Sequence, residues 1–225
     1  MRAALALSPK LGGKGCVVIE QTLQISPMSR PRTFDEPAVL DAATDRFWRH
    51  GYGGSSVREL GKAMGLGAAS LYNAFGDKQA LFARCLDHYL DTNMRERVLR
   101  LQAGVAPRAA IAEFLAEIVE RSLTDRRGCM LVNSALEVAP HDAAIAAIIA
   151  ARLDELEGFF RRAVEAGQRD GTIHAGRDPA DLAALLLSTV MGLRVLSRAL
   201  PERQVLEGAA RQVLALLEPP EEATL

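Results

Sequence analysis

From about residue 35 onward, apolar residues recur every three or four positions, the period of one buried face of an α-helix. No segment is strand-rich. Leu40, Ala43, Phe47 and Trp48 set such a face on a helix expected from Asp35 to His50, stopped by Gly51-Tyr52-Gly53-Gly54. Val57, Leu60, Gly61 and Met64 form the next stripe, with Ser55 or Ser56 placed to cap its first turn. Gly65 supplies the backbone freedom of a tight turn, and a second short helix follows from about Gly67 to Phe75 with Leu71 and Phe75 inward. Gly76 ends it, and Asp77 can cap a long helix from Lys78 to roughly Arg100, with Phe82, Cys85, Leu86, Tyr89 and Asn93 on one face.

The same period continues toward the C-terminus. Pro107 suits the first turn of a helix that carries Ile111, Phe114, Leu115, Ile118 and Val119. Cys129–Glu137 reads as a short buried helix ended by Pro140. A long one follows from about Asp142 to Gln168, with Ile145, Ile149, Leu156, Phe160 and Val164 inside. Asp178-Pro179 caps and opens the next, and the last helix runs from about Glu202 to Leu217. These two are apolar over more than one face. One face can enter the core and the other can meet a second copy of the chain. Leu185, Thr189, Leu193, Leu196, Leu206 and Val213 are the expected dimer contacts, against the plainer reading that one domain core absorbs both faces.

The expected fold is all-α: a flexible arm at 1–31, a three-helix unit at 32–77, a longer helical domain at 78–218 that also dimerises, and a tail at 219–225. Composition supports a folded chain, with hydrophobic residues at 49% and charged residues at 24%. A net charge of −1 excludes a wholly basic nucleic-acid coat but not a local DNA-binding face. Cys16, Cys85 and Cys129 have no C-x-x-C spacing, so a disulfide scaffold or structural zinc site is not expected and a reducing cytoplasm fits. No apolar run is read as long enough to cross a bilayer, and the N-terminus does not read as a signal peptide.

Two short helices joined by a glycine-containing turn form the helix-turn-helix pattern, whose second helix enters the DNA major groove. Here the sequence resembles the TetR family of transcriptional regulators, through Val57-Arg58-Glu59-Leu60, Met64-Gly65-Leu66, Ser70-Leu71-Tyr72, Phe75 and Lys78-x-x-Leu81. The resemblance is specific from about Arg32 to Tyr89 and architectural beyond. It implies a DNA-binding dimer, a small-molecule pocket among the middle helices, and a natural start at Met28. In two places the chain departs from the family pattern. Gly61 stands where alanine is usual, which is expected to loosen the first helix, and Gly67 replaces the usual Ser or Thr cap of the second.

Ser55, Ser56, Tyr72 and Lys78 are the candidates for phosphate contacts, Tyr72 and Lys78 having the added support of the resemblance. Arg58 and Lys62 could also serve, against the plainer reading of solvated charges on a short helix, and Arg32 lies on the arm that leads into the first helix. Ala68, Ala69, Ser70 and Asn73 are the candidates for base reading, alanine methyls against thymine methyls and asparagine on adenine. Phe114, Cys129, Met130, Asn133, Phe160 and Met191 are the candidate effector-pocket residues, against a reading as ordinary core; Asn133 matters because a buried amide needs a partner. Cys129 follows Arg126-Arg127-Gly128 at a helix start, where nearby cations and helix amides favour a thiolate. Its placement also resembles a family branch that senses electrophiles or oxidants through cysteine. Packing is the competing reading.

The four histidines show no catalytic spacing with Cys129, no phosphate loop is present, and His88 between Asp87 and Asp91 is a weak metal suggestion. No enzyme, metal or cofactor is expected. The reading is a regulator of double-stranded operator DNA, most simply a repressor released by a small molecule or by thiol modification, with a helical protein-interaction module as the alternative.

Overall fold

The computed structural model describes Lys10–Gly12, Cys16–Val18 and residues 34–219. Arg32, most of the N-terminal arm, and residues 220–225 of the tail lie outside the described residues. Within the arm, β1 (Lys10–Gly12) pairs antiparallel with β2 (Cys16–Val18), with Leu11 opposite Val17. The arm carries no helical period, but β-branched Val17 and Val18 beside a glycine-rich stretch meet the local demands of a hairpin.

From Asp35 on, the chain forms one compact helical unit. It begins with α1 (Glu36–His50), α2 (Val57–Met64), α3 (Ala68–Phe75) and α4 (Lys78–Leu90). Leu40, Ala43, Phe47, Leu60, Met64, Leu71, Phe75, Leu81 and Phe82 are all buried where these helices meet, as the period requires. Phe82 packs edge-on against Phe47 with centroids 4.9 Å apart. Arg46 of α1 pairs with Glu59 of α2 at 2.7 Å, tying the first helix to the second.

The long helix is interrupted. A single π turn, Asp91–Arg95, joins α4 to α5 (Glu96–Gly104). The Thr92 hydroxyl donates to the His88 carbonyl at 3.0 Å, and the Asn93 amide donates to the Tyr89 carbonyl at 2.8 Å. Such side-chain competition for helix carbonyls accompanies a widened turn.

The remaining helices are α6 (Pro107–Thr124), α7 (Met130–Glu137), α8 (Ala143–Arg169), α9 (Pro179–Ala199) and α10 (Arg203–Ala215). The apolar faces of α6, α8, α9 and α10 close one core around Phe114, Phe159, Phe160, Leu186, Val190 and Leu206. Helix α4 ties the first helices to this core through α8: Arg152 pairs with Asp87 at 2.8 Å, and Gln79 donates to Asp142 at 2.6 Å.

By length and composition alone, α9 is apolar enough to cross a membrane. That corrects the expectation that no run qualifies. Its buried residues, among them Leu182, Leu186, Val190 and Leu193, are part of the protein core.

Candidate functional site

The local sequence explains the geometry of α2 and α3. Ser56 caps α2 in a reciprocal box: its hydroxyl accepts from the Glu59 amide at 3.3 Å, and the Glu59 carboxylate accepts from the Ser56 amide at 3.0 Å. Those Ser56 bonds hold the exposed Glu59 carboxyl below its ordinary range. Gly65, at φ 65°, makes the turn. Gly61 is buried, and a Cβ there would lie 2.7 Å from the Leu66 carbonyl oxygen. The glycine therefore permits close approach of helix and turn. Gly67 gives α3 no side-chain cap, as its identity dictates.

On α3, Leu71 and Phe75 face the core, while Ala68, Ala69, Ser70, Tyr72 and Asn73 are exposed. Tyr72 is 49% exposed. The five candidate residues thus share the solvent side of one short helix. Arg58 and Lys62 are exposed on α2. Lys78 opens α4 behind the Asp77 cap, with its ammonium 4.1 Å from the Tyr52 ring centroid. Burial, and then the charges of Asp142 and Asp77, raise the Tyr52 phenol above its ordinary pKa. Ser55 does not belong to this surface. It is fully buried, and its hydroxyl donates to the Gly51 carbonyl at 2.9 Å, locking the turn between α1 and α2.

The second feature is a cavity ringed by α4, the π turn, α5, α6, α7, α8 and α9, of about 470 Å³ when the open solvent at its mouth is included. Its apolar wall includes Leu90, Met94, Phe114, Ile118, Leu156 and Met191. Its polar groups are Tyr89, Asn93, Arg97, Arg121, Cys129 and Arg194. Three expected pocket residues, Phe114, Cys129 and Met191, are therefore brought together, and three are not. Phe160 is fully buried in an aromatic cluster, 5.3 Å from Phe114 and 5.2 Å from Phe159 between centroids. Met130 and Asn133 line a separate, more polar cleft with Trp48, Glu137 and Arg198. Asn133 is satisfied by the protein: its amide donates to the Arg127 carbonyl at 3.0 Å, and its oxygen accepts from Arg198 at 3.1 Å.

Arg127 does not serve Cys129 either. It pairs with Asp125 at 2.7 Å and Asp45 at 2.6 Å, and lies 3.8 Å over the Trp48 ring. The Arg127 hydrogen bond holds the Asp125 carboxyl below its ordinary range. The cations that share the cavity with Cys129 come instead from distant sequence. Arg194 is 3% exposed and donates to the Ser122 hydroxyl at 3.1 Å and to the Gly128 carbonyl. The sequence signal for it was a lone arginine in the α9 stripe, flanked by Val190, Leu193 and Ser197.

Two routes connect the cavity to the DNA-side helices. Tyr89 donates from its hydroxyl toward the Cys129 sulfur at 3.7 Å and packs edge-on to Trp48 of α1 at 4.8 Å. Burial raises the Tyr89 phenol above its ordinary pKa. Helix α7 spans from Cys129, its N-cap, to Glu137, whose carboxylate accepts from the Gly53 amide at 2.8 Å in the turn before α2. Cys85, by contrast, is sealed in the core, and burial pushes its thiol up to about 12. His88, Asp87 and Asp91 face three different partners: Asp41, Arg152 and Arg95.

The expected dimer contacts also divide. Leu193, Leu206 and Val213 are 1%, 0% and 4% exposed, so they belong to the protomer core and are corrected as interface residues. Thr189 and Leu196 are half-buried. Leu185 is exposed, and with Ser188, Gly192 and Val195 it marks the outer face of α9.

Two short helices joined by a glycine turn, the second exposed along one side, form a helix-turn-helix. Residues 39–85 match the model of bacterial regulatory proteins of the tetR family, and 105–213 match the tetracyclin repressor-like C-terminal domain. The HTH-type transcriptional repressor ComR of Escherichia coli is 30% identical over 172 residues, covering 75% of this chain and 82% of that protein. The Bacillus subtilis regulator YezE is 31% identical over 160 residues, covering 70% and 81%. Among solved structures, a cysteine mutant of the TetR family regulator CifR, in complex with a 26 bp double-strand operator DNA, superposes with a TM-score of 0.74. It shares 35% identity and covers 83% of this chain and 98% of that one. The chain belongs to the TetR family and is a DNA-binding transcriptional regulator, not an enzyme.

Proposed function

We propose that the protein is a dimeric repressor that leaves its operator when a small molecule occupies the cavity or modifies Cys129. One observation carries this reading: α7 begins at a cavity-lining thiol and ends on the turn that positions α2 and α3. A displacement of α7 at its N-cap reaches the reading head without passing through a flexible loop. Regulation requires only that the effector favour one of two placements of the reading heads. The relatives' names as repressors support the sign. A role on operator DNA fits a cytoplasmic protein.

Thiol alkylation tests the reading. In a Cys16→Ser background, alkylation of Cys129 is expected to weaken operator binding in a mobility shift, and Cys129→Ser is expected to abolish that response. Unchanged binding after complete alkylation would overturn it. Glu137→Ala removes the carboxylate on the Gly53 amide. It should leave operator affinity within a few-fold of wild type, since a single exposed hydrogen bond contributes about 0.5–1.5 kcal/mol. The drop in operator affinity on alkylation should shrink, because α7 then loses its hold on the turn.

The outer face of α9 is the proposed meeting surface of two protomers, with Leu185 and Val195 at its centre. Val195 is 47% exposed, so Val195→Glu leaves the protomer folded. Sedimentation should then show the chain shifting from dimer to monomer, with operator affinity falling alongside, because two half-sites need two linked heads. A dimer that persists with unchanged stability would move the interface elsewhere.

A further inference from the structure

The cavity carries more positive charge than its surroundings balance. Of its three guanidinium groups, Arg97 is paired, with Glu117 at 2.6 Å. Arg121 donates to the Asn93 side-chain oxygen, and Arg194 donates to a hydroxyl and a backbone carbonyl. Among the described residues neither has a carboxylate within ion-pair distance, although Arg194 is almost completely buried. The nearby Asp125 is already held by Arg127. Burial pulls Arg97 below its ordinary pKa, and the neighbouring Arg121 cation acts in the same direction. A guanidinium held in an apolar wall with neutral partners is costly unless an anion joins it. Planar N–H donors favour a carboxylate-like group.

We propose that this cavity takes a small anionic ligand, an apolar body with a carboxylate or similar acid group, its charge held by Arg194 and Arg121 and its body on Phe114, Leu156 and Met191. The inference rests on the reading of this cavity as the effector site and adds the charge class of the effector. Cys129 lies in the same wall, so an effector that is also electrophilic would present its reactive carbon to the thiol while its acid group rests on the two arginines. Neutral and cationic molecules of the same size lose that anchor.

The test compares iodoacetate with iodoacetamide on the full chain in the Cys16→Ser background. Either reagent forms an S–C bond at Cys129 and expels iodide, with the thiol proton passing to solvent; the two differ in charge alone at the far end. Mass spectrometry of the Cys129 peptide gives each rate, and the same protein unfolded in urea gives the intrinsic ratio. The folded protein should favour iodoacetate over that intrinsic ratio by about tenfold, the effect of roughly one nearby cation in a partly desolvated site. Arg121→Gln, at a half-exposed position, should reduce the preference several-fold while the chain stays folded. A folded ratio equal to or below the unfolded one overturns the charge assignment. If both reagents still release operator DNA in that case, the effector-site reading survives. If the iodoacetate preference is present but alkylated protein binds operator unchanged, the anion site stands and the effector-site reading fails.

Discussion

Replacing Lys78 with glutamate should lower operator affinity by roughly two orders of magnitude or more. Lys78 opens α4 next to α3, so on the proposal that α3 enters the groove, an ammonium swung off the Tyr52 ring would meet the phosphate backbone beside it. A charge-assisted contact contributes about 1.5–3 kcal/mol, and the dimer carries two. Because each lost cation also ends one counterion release, the slope of log affinity against log salt should fall by about two. The substitution removes a cation–π contact of about 0.5–1 kcal/mol, too little to unfold the protein, so circular dichroism should be unchanged. Fluorescence anisotropy on labelled operator across a salt series measures both quantities. Equal affinity for the two proteins would mean that the ammonium stays on Tyr52 in the complex and that Tyr72, with its free phenol edge, carries the backbone contact alone.

The second large effect is on stability. Phe160→Ala should cost about 3–5 kcal/mol, which for a chain of this size lowers Tm by roughly 6–20 °C. Phe160 is wholly enclosed and touches Phe114 and Phe159 in one aromatic cluster, so truncation leaves a hole in a close-packed core. The same position read as a pocket wall would predict a small stability loss and altered effector response. Differential scanning calorimetry separates the two. A Tm within a degree or two of wild type would place Phe160 at the cavity surface. Met191, half-buried on the cavity wall, supplies the contrast: Met191→Ala should move Tm far less, because the space it vacates already opens on the cavity.

These two residues show what the sequence could and could not disclose. Local chemistry was legible. The capping serine, the turn glycine and the stripe of Leu60, Met64, Leu71 and Phe75 are all decided within a few residues of one another, and the structure places them as the spacing requires. Which side of an apolar helix faces which neighbour is a tertiary fact. Leu193 and Leu185 are both leucines on α9, yet one is sealed in the core and the other looks outward. The period identifies a wide stripe and not its division. Ser55 and Ser56 are adjacent and chemically identical, yet one hydroxyl donates inward to Gly51 and the other stays at the surface. The cavity cations were hidden for a further reason. Arg121 and Arg194 stand 73 positions apart, and only the packing of α6 on α9 brings both to the wall that holds Cys129. Arg126 and Arg127, nearest to the thiol in sequence, were the natural candidates. Asp45 and Asp125 claim Arg127 instead.

The widened turn at Asp91–Arg95 separates the azimuth of α4 from that of α5. In an unbroken α-helix each residue fixes the next by about 100° of rotation, so the side chains of Phe82 and Leu101 would be locked in phase. A surplus residue between them offsets that phase by about one residue's rotation. Thr92 and Asn93, whose side chains share carbonyls with the main chain, sit at the offset. Beyond it Met94 and Leu101 turn into the core of the C-terminal helices, while Phe82 before it packs on Phe47. One register shift lets a single rod serve two cores.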